Sequence, residues 1–167
     1  IKERINRSDE VAILIDEINL DKLFQGPVPI KSKLTKMKLK YIPADIENHP
    51  FKDEILTIIK WNVRGLTAKY NKINKAWLFK PYEFVERKEL ALTLEDILVK
   101  MIGDDSLAVN MIGTEKSPFP DVSPTAAYFN AVVTVTSRGL MDTTLSGEFE
   151  PDTPVSGVDF LSAVFKL

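Results

Sequence analysis

Cysteine is absent from all 167 residues, so thiol nucleophiles, thiolate-bound zinc, iron–sulfur clusters and disulfides are excluded, and no redox compartment is favoured. Histidine is almost as scarce, because His49 is the one imidazole and a polyhistidine metal site cannot be built from it. The seven glycines are scattered singly, which leaves no glycine-rich phosphate loop. No apolar run approaches the roughly 18 to 20 residues that a membrane-spanning helix needs. Charge of one sign is missing too: 22 Lys and Arg stand against 24 Asp and Glu, and a net charge of −2 disfavours general nucleic-acid binding. The opening residues IKERINRSDE are charged and give no export signal; the expectation is a chain that does not begin where its gene begins.

What the sequence does contain is a 44% hydrophobic content, ordinary for a folded domain, with helical periodicity in several stretches. Val11, Leu14, Ile15 and Ile18 predict a helix over residues 7–19, with Asn6 or Ser8 available as a cap. Ile55, Leu56, Ile58, Ile59 and Val63 predict a second, opened near Pro50 and closed by Gly65. Leu90, Leu94, Ile97, Leu98 and Met101 define a third, over 86–102, stopped by Gly103. Phe160, Leu161, Val164 and Phe165 predict a C-terminal helix over 158–167. Residues 25–43 contain GPVP and KSKLTKMKLK and read as a linker or an edge strand.

The stretch NAVVTVTSRG is β-branched and by propensity alone is a strand. Internal repetition argues the other way. DIENHPFKDEILTIIKWNVRGL, from Asp45, aligns with DVSPTAAYFNAVVTVTSRGL, from Asp121, and both end in Arg-Gly-Leu. Downstream, Phe79 and Pro81 fall on Phe149 and Pro151, and Glu89 falls on Asp159. A third partial copy opens the chain as INRSDEVAILI. One unit is an acidic turn, a helix closed by Arg-Gly-Leu, a Phe-x-Pro loop and a second helix. So small a unit needs neighbours to bury its apolar face, which predicts that NAVVTVTSRG is helical like its counterpart.

These residues resemble the S-layer homology domain. The segment FPDVSPTAAYFNAVVTVTSRGLMDTTLSGEFEPDTPVSGVDFLSAVFKL is similar to a full copy, with its Phe-x-Asp-Val opening, Gly-Leu-Met turn and Gly-x-Phe-x-Pro-x-x-Pro loop. The resemblance implies an all-α fold of helix–loop–helix repeats about a pseudo-threefold axis. Its divisions are the end of a truncated first repeat (1–19), a Lys-rich linker (20–42), a second repeat with an insertion around KYNKINKAW (43–105) and a third repeat (106–167). It also implies non-catalytic attachment to cell-wall polysaccharide or a peptidoglycan-linked polymer, outside the cytoplasm in a bacterial envelope, at the periplasm or the cell surface. The form PVSGVDF is similar to repeats of Gram-negative exported proteins, which keeps open a scaffold that binds another envelope protein instead.

In the family a Thr-Arg-Ala-Glu motif opens the second helix, and its Arg faces the acidic glycan in the grooves between repeats. Arg7 and Arg87 occupy that place, whereas the third copy has Gly157. A guanidinium grips a carboxylate through two parallel hydrogen bonds, yet an ion pair with Asp9 or Glu89 accounts for the same residues. Asp45 and Asp121 line the grooves or cap the turn that follows each of them. Trp77 and Tyr82 suit stacking on a pyranose, and core packing suits them equally. The Lys-rich stretch 31–40 contributes +5 and fits an anionic polymer, a lipid headgroup or a solvated face. His49 with Asp45, Glu47 and Asp53 has the look of a metal or general-base cluster, but one imidazole with no nucleophile beside it leaves nothing that needs to be a catalyst. No enzyme, cofactor, metal, nucleic-acid partner or membrane span is expected.

Overall fold

The computed structural model describes residues 2–24 and 37–167. Helix α1 (Arg7–Ala12) begins on an Asn6 capping box, in which Asn6 Oδ1 accepts from the Asp9 N–H and the Asp9 carboxylate accepts from the Asn6 N–H. It continues as a π-helical stretch, Ile13–Glu17. A short α2 (Leu20–Leu23) ends the first described segment. Most of the sequence expected as a linker lies outside the described residues; residues 37–43 have no regular structure.

After a 3-10 turn, Ala44–Ile46, come α3 (Lys52–Lys60), the strands β1 (Lys69–Asn71) and β2 (Ala76–Leu78), α4 (Arg87–Ile102), a second 3-10 turn, Asp105–Ala108, α5 (Phe129–Ser137) and α6 (Gly157–Val164). The expectation of an all-α chain is corrected by the two strands, which pair antiparallel with Tyr70 opposite Trp77. Local chemistry explains the hairpin. Asn71 Oδ1 accepts from the Ile73 and Asn74 N–H groups, and Lys75, at φ +49°, turns the chain back. Tyr70 and Trp77 then meet edge to face at 5.5 Å, as aromatic cross-strand pairs do.

Against its strand propensity, 129–137 is a helix, as the repeat predicts. Asn130 and Thr134, one turn apart, both donate to Oε1 of buried Glu95 on α4, a pairing that helical spacing allows. Arg64 Nη1 donates to the other carboxylate oxygen at 3.0 Å. Ala131, Val132 and Val135 meanwhile enter the core beside Phe79, Phe149, Phe160, Leu90 and Leu94. Burial of each large apolar side chain contributes about 1.5–3 kcal/mol, which exceeds the few tenths per residue that helix propensity costs valine or threonine.

A ring of backbone hydrogen bonds joins the three places where the chain leads into α1, α4 and α6. The Ile5 N–H donates to Val155 O at 3.3 Å, Val155 N–H to Val85 O at 2.8 Å, and Val85 N–H to Ile5 O at 3.1 Å. All three side chains are buried.

Two glycines separate backbone strain from packing. Gly65 (φ +82°) and Gly139 (φ +69°) close the two Arg-Gly-Leu turns, but a Cβ at Gly65 would lie 2.4 Å from both Glu89 O and Thr93 Oγ1, whereas none at Gly139 has a neighbour within 4 Å. Gly139→Ala is expected to cost about 1 kcal/mol for the left-handed backbone, and Gly65→Ala about 3 kcal/mol or more because α4 is pushed away as well. Urea unfolding of the two variants checks this, and equal losses would contradict it.

Candidate functional site

The expected groove residues form two related clasps. In the first, Asp45 accepts from the N–H groups of Phe79, at 2.8 Å, and Lys80, at 2.6 Å. In the second, Asp121 accepts from Phe149, at 2.9 Å, and Glu150, at 2.6 Å. Lys80 and Glu150 take left-handed backbones, φ +58° and +56°, a conformation that costs a side-chain-bearing residue about 1–2 kcal/mol and that two charge-assisted bonds to one carboxylate offset. Each loop so held turns its carbonyls outward. Pro81 O and Glu83 O accept from the N–H groups of Ser8 and Arg7, and Pro151 O and Thr153 O from those of Lys88 and Arg87.

Each arginine then closes its loop. Arg7 is 4% exposed; its Nε donates to Phe79 O, Nη1 to Gly65 O and Nη2 to Thr67 O, all at 2.9 Å, and the guanidinium lies 4.7 Å from the Phe79 ring centroid. Glu89 Oε1 stands 3.6 Å from Arg7 Nη1. Arg87 repeats the pattern one unit on, with Nε donating to Phe149 O at 2.7 Å, Nη2 to Asp142 O, and the Phe149 ring centroid at 4.8 Å. It differs in two respects. Arg87 is only half-buried, and its Nη1 has no acceptor among the described residues. A cavity of about 70 Å³ opens there, between Leu140, Met141, Asp142, Asp159, Ser162 and Lys166.

At the third equivalent place Gly157 has no positive φ and simply begins α6. Without a guanidinium, the position borders an apolar cavity of about 290 Å³, with Ile5, Ile13, Phe51 and Leu161 around it and Lys2 paired to Asp9 at its rim.

Trp77 and Tyr82 belong to other clusters. Trp77 stacks on Tyr41 at 4.1 Å between centroids, and Tyr82 packs at 5.2 Å on His49. His49 Nδ1 accepts from the Phe51 N–H, and Asp45 is engaged by its loop. Among the described residues no three His, Asp or Glu side chains are placed to hold a metal ion.

Residues 118–161 match the family model of the S-layer homology domain. The match places an S-layer homology domain in this segment, 44 of the chain's 167 residues. That span contains the Asp121 clasp, the Phe149 loop and the start of α6, whereas Arg87, which closes that loop, lies outside it. S-layer homology domains are binding modules of the cell envelope, and this one marks the chain for attachment there. No curated protein matches the chain, and no helix among the described residues is long and apolar enough to cross a membrane.

Glu10 escaped sequence reasoning. It takes the place in α1 that Leu90 and Phe160 take in α4 and α6, is fully buried, and neither carboxylate oxygen has a hydrogen-bond partner among the described residues. Burial pushes its carboxyl up to about 8, against the pull of the Arg7 charge and with help from the Glu89 charge. The signal was available: an acid stands on the apolar face of an aligned copy. Between the ordinary carboxyl value and about 8, the folded chain holds a proton that the unfolded chain releases, so stability falls as pH rises through that window. Glu10→Gln should remove this slope, raising the melting temperature most at pH 8 and above and least below pH 4.5. Parallel pH profiles for the two proteins would contradict the assignment.

Proposed function

We propose that the chain attaches its parent protein to acidic cell-wall glycan through the groove at Arg87. The observation behind this reading is the contrast between the two arginines. Arg7 is sealed, with all three nitrogens on backbone carbonyls, and acts within the fold. Arg87 lines a small cavity together with Lys166 and keeps Nη1 without an acceptor, so a uronate or pyruvyl carboxylate would meet both cations by replacing the Lys166 contact to Gly139 O and passing the Asp142 and Asp159 side chains that share the lining. Asp121 sets the Phe149 loop that presents this groove, and Asp45 sets the equivalent Phe79 loop at Arg7. Of the two expected aromatics, Tyr82, 71% exposed, is better displayed for a sugar ring than Trp77, 36% exposed.

A protein–protein scaffold is the second reading, and the Gly157 face favours it. The apolar cavity there, with exposed Val158 at the start of α6 and exposed Phe165 at its end, suits a partner side chain better than a charged sugar.

Arg87→Ala should weaken sedimentation with purified walls by about 1.5–3 kcal/mol, the range for charge-assisted hydrogen bonds, and Arg87→Lys should recover only part of it. A folded Arg87→Ala protein that binds walls as the parent does would favour the scaffold.

A further inference from the structure

The two loops that span Leu66 to Phe79 and Leu140 to Phe149 occupy equivalent places, and they differ in chemistry. MDTTLSGE, residues 141–148, has acids and no cation, whereas TAKYNKINKAWL, residues 67–78, has three lysines and no acid. The longer loop is the β hairpin. Its tip is Ile73, 91% exposed, between exposed Lys72 and Lys75. Tyr70 and Trp77 stand below the tip, both partly in solvent. The Tyr41 ring, stacked on Trp77, joins to them the segment MKLKYI, residues 37–42, where Lys38 and Lys40 are exposed and Leu39 and Ile42 also reach solvent. Lys60 borders the same place, lining a cavity with Lys38, Lys40 and Tyr41. Among the described residues none of Lys38, Lys40, Lys69, Lys72 and Lys75 forms an ion pair.

From this juxtaposition we propose that the hairpin tip and residues 38–42 form a docking surface for an anionic lipid bilayer, separate from the Arg87 groove. A bare isoleucine at the end of a hairpin gains by entering the acyl boundary. The tyrosine and tryptophan rings on the strands behind it match the headgroup level, and a collar of unpaired lysines meets the lipid phosphates. Hydrated polyanions would use the lysines equally well but give Ile73 nothing, and that separates a membrane from a polysaccharide as the occupant.

The test is sedimentation of the 167-residue chain with vesicles of equal phosphatidylglycerol and phosphatidylcholine, and with phosphatidylcholine alone. Binding to the anionic vesicles, weakened by added salt and absent on the neutral ones, is the expected result. Ile73→Ser should bind about tenfold less tightly, and the Lys69→Gln, Lys72→Gln, Lys75→Gln triple variant about a hundredfold less. Both variants lie at solvent, and thermal melts matching the parent show that they are folded. No binding to anionic vesicles at low salt overturns the proposal. So does Ile73→Ser binding as tightly as the parent, or a parent chain that binds soluble polyuronate and not the vesicles with the lysine triple variant losing that binding, which assigns the surface to a hydrated polymer.

Discussion

Ile5, Val85 and Val155 each donate one peptide hydrogen bond and accept one, and each bond goes to a different neighbour, so the three close a ring. A ring of this kind has no free edge. Removing any member leaves a buried donor and a buried acceptor unpaired, at a cost of about 1–3 kcal/mol each. It also fixes where α1, α4 and α6 begin, because each ring residue lies directly before a helix cap, at Asn6, Glu86 and Ser156. Residues as distant in sequence as 5 and 155 are thereby brought together.

The loop clasps follow from that placement. Once the helix starts are fixed, the first N–H groups of α1 and α4 point at the Phe-x-Pro loops, and the Asp45 and Asp121 carboxylates hold those loops in a conformation that leaves their carbonyls to be met. An arginine at the first helical position completes the contact with up to three further bonds and a ring face. The same residue type therefore does different work by exposure alone. Sealed on every side, Arg7 is part of the core's polar lining; Arg87, half-buried, borders a small cavity and leaves one nitrogen without an acceptor among the described residues. At Gly157 the N–H still donates to Lys2 O, but the guanidinium is missing and a cavity borders the position.

Much of this was legible in the residues. Apolar periodicity located α1, α3, α4 and α6, and of the two caps open to α1, Asn6 and Ser8, the fold uses Asn6; a 3.6-residue repeat and a capping side chain are local signals. Alignment of the copies made 129–137 helical where propensity said strand, and the Glu95 contacts to Asn130 and Thr134 explain why the alignment was the better guide. The hairpin was missed. Within a repeat, KYNKINKAW reads as an insertion, and its strand pairing rests on an Asn71 turn and one aromatic pair too short to show a period. The ring was invisible for another reason: it is made of main-chain groups, which no side-chain pattern reports. Arg7 and Arg87 were found as a pair, but the difference between them depends on loop carbonyls that only the folded chain assembles.

Amide hydrogen exchange of the folded chain tests the ring most directly. The account predicts that the Ile5, Val85 and Val155 amides exchange together, and only through global unfolding, although Ile5 lies close to the first residue of the chain. Exchange of the Ile5 amide at the rate of an exposed terminus, with Val85 and Val155 still protected, would contradict the closed ring.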